Sequence, residues 1–323
     1  MILYYILLIF TTIIEYYSLM KYIKKLLPLI ILTLFLISML IFADKVIINV
    51  QLAVDICINN LLPSMLPFLI LSAILSNYGF VEIISKLMHP IMKYVFHLNS
   101  NCAYILILSM LSGSPANSKY IRQLLDDKKI SINDANKILL FSHFVNPIFI
   151  IGTVGTVFLE NKTYGYFILI SHYLANFIIG IFTRDKKIPN SKIDISLNYK
   201  PKNFITTLKC AIKDTIDTLF IVFGTITCFL VTSSIINSYF NFNPMLYGIL
   251  EMTSGLKYIS ISNINMLYKL IFSTFFLSFG GISIHMQVLS ILENKKIRYL
   301  PYLEARILQG LISIIIVIIL YLM

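Results

Sequence analysis

Long apolar runs dictate what this chain can become, and some of them are broken from within. Runs with little charge fall at about 27–43, 50–76, 101–118, 138–159, 164–183, 207–237, 266–292 and 304–322. Several reach the ~20 residues a helix needs to cross a bilayer. With 58% hydrophobic and 13% charged residues and a mean hydropathy of +0.84, the chain lies outside the range of ordinary soluble domains. The expected fold is all-α, a polytopic membrane protein of about eight transmembrane helices. Two further segments are ambiguous between crossing and lying at the interface: Phe80 to Phe96, with Glu82, Lys86, His89, Pro90 and Lys93, and Pro244 to Tyr258, with Glu251 and Lys257.

The breaks carry the functional information. Leu111-Ser112-Gly113-Ser114-Pro115-Ala116-Asn117-Ser118-Lys119 places small, polar and helix-breaking residues inside an apolar run. Phe279-Gly280-Gly281-Ile282-Ser283 does the same 167 positions later. At that offset Leu124 to Ile130 falls on Ile291 to Ile297, each ending in a Lys-Lys-Ile turn. The expectation is two repeated halves, each with a broken or re-entrant helix. Residues 1–45 form N-terminal span(s), 46–183 the first half, 184–203 a polar hinge loop and 204–323 the second half. Duplicated halves with discontinuous helices are a sign of a solute transporter whose site lies where the breaks meet. Parallel and inverted repeats both remain open.

At the first break the incoming helix can end at Gly113, with Ser114 as N-cap and Pro115 in the first turn of the next helix. A helix that starts at mid-membrane presents free N–H groups and the positive end of its dipole to the gap. The expected substrate site is therefore Ser112, Gly113, Ser114, Pro115 and Asn117 from the first break and Gly280, Gly281, Ser283 and His285 from the second. Asn146, before Pro147, frees backbone groups inside a third apolar run. The bland alternative is that the small residues only allow close helix packing. Glu251, alone among apolar neighbours, is a candidate for ion coupling, or else an interfacial acid paired with Lys257. His143, His172 and Tyr173 read as interhelical hydrogen-bonding groups outside the site.

Other chemistry is excluded on the same residues. The net charge of +11 comes from Lys and Arg spread over short loops, as the positive-inside bias requires, and not from a basic domain. No nucleic-acid partner is expected. Cys57, Cys102, Cys210 and Cys228 form no CxxC pair, so no metal or disulfide framework is expected. No hydrolase or nucleotide-binding motif appears, so an enzyme and a cofactor are not expected. Residues 1–19 precede Met20-Lys21-Tyr22-Ile23-Lys24-Lys25, which itself reads like a start. The run after those lysines reads as an uncleaved first span. The basic loops at 119–137 and 184–213 should share the cytoplasmic side. Whether the chain forms a homo-oligomer is left open.

Several blocks together resemble the sporulation integral membrane protein family typified by YlbJ, within the nucleoside-recognition or Gate proteins. Leu62-Pro63-Ser64-Met65-Leu66-Pro67-Phe68 resembles its LPSLLPF segment, and Ser112-Gly113-Ser114-Pro115 with Lys119 its SGxPxxxK signature. Phe149-Ile150-Ile151-Gly152 after Pro147, His172-Tyr173, Glu251 to Gly255 and Ser278 to Gln287 resemble further blocks. The chain departs from the family at Asn117-Ser118, where Gly-Ala is usual. It departs again at His143-Phe144-Val145 and Asn146, where a polar tract is usual. The resemblance implies a multi-pass cell-membrane protein of endospore formation that moves dipicolinic acid across the outer forespore membrane. Nucleoside or nucleobase transport, or a structural role in spore assembly without transport, are the alternatives. A small aromatic dianion agrees with a site built from two opposed helix N-termini.

Overall fold

All regular elements among the described residues are helical, as expected where backbone polar groups cannot turn to water. The computed structural model describes residues 23–186, 203–240 and 245–323. The expectations for residues 1–19 and for most of the 184–203 hinge lie outside the described residues. In chain order the helices are α1 (Ile23–Ile41), α2 (Ala43–Asn77), α3 (Phe80–Leu87), α4 (Cys102–Ser112), α5 (Ala116–Asp126), α6 (Ile132–Phe141) and α7 (Phe149–Phe158). They continue with α8 (Lys162–Phe182), α9 (Phe204–Phe240), α10 (Met245–Leu250), α11 (Met252–Ile261), α12 (Met266–Phe279), α13 (Gly281–Ile291) and α14 (Tyr299–Leu322).

Among the described residues, six stretches are long and apolar enough to span a membrane: α1, α2, α8, α9, α12 with α13, and α14. The expectation of about eight single spans is corrected at two places. The 101–118 run turns back at Gly113, and the 138–159 run is split into α6 and α7 around Ser142–Pro147. Each is too short to cross alone.

Polar contacts at the helix ends fix the path. Gln123 Nε2 donates to Ser76 Oγ at 2.6 Å, and Lys129 meets Glu82 at 2.7 Å. Asn101, just before α4, donates from Nδ2 to the carbonyl of Lys129, just after α5, at 2.9 Å. So α4 enters and α5 leaves on one side, a re-entrant hairpin with its apex at Gly113–Pro115. The Phe80 to Phe96 segment starts beside Lys129 and ends where Arg184 Nη1 donates to Val95 O at 3.4 Å. It runs along that same side and does not cross. Lys137 also pairs with Asp185 there. This side, carrying Lys128, Lys129, Arg184, Lys295 and Lys296, is the basic face.

From the basic face α6 and α7 cross to the turn at Asn161, whose Oδ1 accepts from Thr163 N at 2.9 Å to cap α8. There α7 and α8 pack glycine on glycine, since a Cβ on Gly155 would lie 2.7 Å from Gly165 Cα. α8 then returns to the basic face. α9 runs antiparallel to α2, with Lys45 Nζ donating to Ser238 Oγ at 2.8 Å, and so delivers the chain to the opposite face. From that face α10 and α11 enter as a second hairpin with Glu251 at its apex. The arms touch so closely that a Cβ on Gly255 would lie 2.2 Å from Gly248 Cα. The described part of the ambiguous 244–258 segment, from Met245 onward, is therefore re-entrant. α12 enters beside it, the chain breaks at Gly280, and α13 goes on to the basic face, where Arg122 Nη1 donates to Ile291 O at 3.0 Å and Lys295 pairs with Asp126. α14 crosses back and sets Tyr321 against Tyr164, ring centroids 6.1 Å apart.

This path corrects the 167-residue correspondence. Ser112–Pro115 is the apex of a re-entrant hairpin, whereas Gly280–Gly281 interrupts a helix pair that passes through. The matched 124–130 and 291–297 stretches lie against each other on one face. The Gly113 and Glu251 apexes enter from opposite faces, and the Ser142–Pro147 and Gly280 breaks interrupt paths that pass through.

Candidate functional site

Gly113 ends α4 with φ +82°, a conformation that costs other residues energy but not glycine. The turn also has no room: a Cβ on Gly113 would lie 2.7 Å from Asn146 N. Ser114 N donates to Phe144 O at 2.6 Å, which ties the hairpin apex to the α6–α7 break. The expected capping is corrected. Pro115, not Ser114, occupies the N-cap position of α5, and no side chain caps that helix. The Ser114 hydroxyl instead donates to Asn117 Oδ1 at 3.0 Å and lies 2.9 Å from His143 Nδ1.

A narrow cavity adjoins these groups. It is lined by Ser114 and Pro115 at the start of α5, by Glu251, Met252 and Thr253 at the start of α11, and by Ser283, Ile284 and Gln287 in the first turns of α13. Leu61 and Met65 of α2 and Val222 and Ile226 of α9 close it. Its volume of about 20 Å³ holds little more than a water molecule. The two glycine-bearing breaks thus share a chamber, and a third helix start joins them.

That third start is already satisfied. The Glu251 carboxylate accepts from Thr253 N at 3.0 Å and from Ser254 N at 2.7 Å, so the acid sits at the positive end of the α11 dipole. Glu251 is 1% exposed, whereas Lys257 is exposed. The interfacial Glu251–Lys257 pair is therefore corrected to a buried N-cap.

Other expected site residues lie beside the cavity without lining it. Ser112 Oγ donates to Leu108 O at 2.7 Å and accepts from Tyr120 at 3.0 Å. Asn117 is buried behind Ser114, with Nδ2 3.4 Å from Ser142 Oγ. Gly280 (φ +86°) faces His143, whose Nε2 would lie 2.7 Å from a Cβ there, and Gly281 packs against Met252 N. His285 turns away, with Nε2 at 2.9 Å from Phe279 O and Nδ1 at 3.2 Å from the Tyr299 hydroxyl.

Asn146 acts as a clamp. Its Nδ2 donates to Ser64 O at 2.9 Å and Leu111 O at 2.8 Å, and its Oδ1 accepts from Ile148 N at 2.7 Å. One side chain joins α2, the first hairpin and the start of α7. Replacing it by Leu keeps the size but strips partners from buried backbone groups, each worth about 1–3 kcal/mol. Asn146→Leu is expected to cost roughly 2–4 kcal/mol, read as a lower unfolding midpoint in detergent.

α8 satisfies the rest of the α6–α7 break. His172 Nε2 accepts from Val145 N at 3.0 Å, the Tyr173 hydroxyl donates to Val145 O at 3.3 Å, and Asn176 Nδ2 donates to His143 O at 2.7 Å. Non-helical backbone at membrane depth needs such partners.

Two functional candidates escaped the sequence reading. His143 was set outside the site, yet it bridges the breaks: Nδ1 is near Ser114 and within 3.2 Å of the Tyr302 hydroxyl, while Nε2 has no partner and faces Gly280. Arg306 is fully buried on α14. Its guanidinium donates to Gln309 Oε1 and Leu140 O and lies 5.3 Å from the Tyr302 ring centroid. The place of His143 just before Asn146-Pro147 is the signal that points to it; Arg306 lies inside the apolar run at 304–322, and the sequence analysis does not single it out.

Part of this chain, including the first hairpin, matches a known sequence family. The model described as "Gate: Nucleoside recognition" matches residues 58–163, the stretch from mid-α2 through the first hairpin and the α6–α7 break. The sporulation integral membrane protein YlbJ of Bacillus subtilis (strain 168) is 29% identical, over 80% of this chain and 73% of the relative. This chain is similar to YlbJ over most of its length. Its similarity to YlbJ extends well beyond the Gate region, as the motifs in the second half require. No solved structure matches.

Proposed function

We propose that this protein is a transporter of endospore formation that moves dipicolinic acid, a small aromatic dicarboxylate, across the outer forespore membrane. The observation that carries the reading is the cavity shared by the starts of α5, α11 and α13. A scaffold has no use for helix ends held together inside a membrane, whereas discontinuous helices around a mid-depth chamber suit alternating access. At about 20 Å³ the chamber is closed to such a solute, so the reading requires a hairpin to move. Hairpins entering from opposite faces support two halves of inverted topology, with α4–α5 answering to α10–α11, α6–α7 to α12–α13, and α8 to α14. Ser114, Ser283 and Gln287 are the polar groups offered to the solute, and Glu251 is the acid placed to couple a proton or cation. The Gate description favours a second reading, transport of a nucleoside.

The test is uptake into proteoliposomes. Dipicolinate should accumulate, and an excess of uridine should not compete; competition by uridine at similar concentration would favour the second reading. Absence of flux for both solutes would leave the scaffold.

A further inference from the structure

Arg306 is a formal cation with no exposure to solvent. Among the described residues, acidic side chains pair with Arg122, Lys129, Lys137 and Lys295, all at the basic face, and none with Arg306. Glu251, a buried acid beside the seam, spends its carboxylate on the α11 amides, and Lys119 Nζ of α5 is a further buried cation without a partner among the described residues. The Arg306 head group has two neutral acceptors, Gln309 Oε1 and Leu140 O, while its Nε has no partner among the described residues. Burying an ionised group without a counter-charge is among the costliest arrangements in a protein, and in membrane segments such residues line solute paths.

The surroundings lead towards the cavity. The guanidinium lies against Tyr302, whose hydroxyl is 3.2 Å from His143 Nδ1, and that nitrogen is 2.9 Å from Ser114 Oγ on the cavity wall. His143 Nε2 is a second buried polar atom without a partner in this seam. A planar guanidinium can hold a carboxylate by paired N–H donors, which a helix start cannot do.

We propose that Arg306 is the counter-ion for a carboxylate of the transported solute, reached from the cavity past Ser114 and His143 when the chamber opens. This deepens the function proposed above and rests on it for the place of the site. The required class is a carboxylate anion, and a neutral nucleoside would leave the cation uncompensated.

The experiment is equilibrium binding and thermal unfolding of the full chain in lipid nanodiscs. The probes are dipicolinate, isophthalate and uridine, with wild type, Arg306→Met and Arg306→Lys. Arg306→Met should weaken dipicolinate binding about 100-fold, as removal of one member of a buried charge pair does. Arg306→Lys should retain part of the affinity, because the charge remains without the fork. Unliganded Arg306→Met should melt no lower than wild type, since it removes an uncompensated charge. Binding within about threefold of wild type by Arg306→Met would overturn the assignment. So would a melting temperature far below wild type in both variants, which would make Arg306 a strut to Leu140 and Gln309. If wild type binds isophthalate through Arg306 but not dipicolinate, the proposed substrate fails and the counter-ion stands. If dipicolinate binds regardless of Arg306, the counter-ion fails and the substrate stands. Absence of any carboxylate binding to wild type overturns both.

Discussion

Ser114→Leu is expected to bring dipicolinate uptake down by at least about tenfold while the purified protein keeps its helical content. Ser114 stands on the cavity wall, and the chamber of about 20 Å³ has no room for the two further heavy atoms of a leucine side chain. Overpacking costs about 1–3 kcal/mol, and each 1.4 kcal/mol is about tenfold in an equilibrium. The substitution also removes the hydroxyl that joins Asn117 to His143. Ser283→Leu approaches the same chamber from α13 and should act alike. Ser114→Ala, which adds no bulk, separates the two causes: it should retain more uptake than Ser114→Leu. Wild-type flux in both leucine variants would remove the chamber from the transport path.

Gly255→Ala should have a large effect on folding for a single added methyl. The new Cβ would lie 2.2 Å from Gly248 Cα and 2.7 Å from Gly248 N. Those are backbone atoms that cannot swing aside, so the α10–α11 hairpin must separate. Phe276 fills the next layer, at 3.1 Å from the same position, which closes the other escape. A loss of about 3 kcal/mol or more is expected, read as a large fall in the unfolding temperature in detergent. Gly152→Ala is the matched control, because a Cβ there meets nothing within 4 Å. Equal stability of the two variants would show that the hairpin arms do not touch.

Much of this architecture could be read from residue order. Apolar runs gave away the membrane helices, and Gly113, Pro147 and Gly280 marked points where backbone bonding must fail. The placement of Lys and Arg grouped the 119–137 loop with the segment beginning at Arg184, which Lys137 and Asp185 join in space. The duplication was misread for a physical reason. Leu124 to Ile130 and Ile291 to Ile297 look alike because both leave the same face, where helix ends take on an amphipathic and basic composition. The hairpin at Glu251 has no proline or paired glycine at its apex, so its signal was carried only by Gly248 and Gly255, spaced seven apart. A buried N-cap glutamate and a coupling glutamate look the same in sequence. Arg306 was hidden by its position near the start of an apolar run, where arginine ordinarily faces solvent. Its burial follows from the packing of α14 against α6 and α8, which no local pattern encodes.

The most direct measurement of the shared chamber is thiol labelling at its walls. Cys57, Cys102, Cys210 and Cys228 are all free, so they are first replaced by Ala, and Ser114→Cys and Ser283→Cys are then made singly. In proteoliposomes both new thiols should react with a small water-soluble reagent, and dipicolinate should protect both over the same concentration range while uridine protects neither. Labelling at one position that ignores the dicarboxylate, or protection with unrelated concentration dependence at the two, would contradict a single solute chamber between the helix starts.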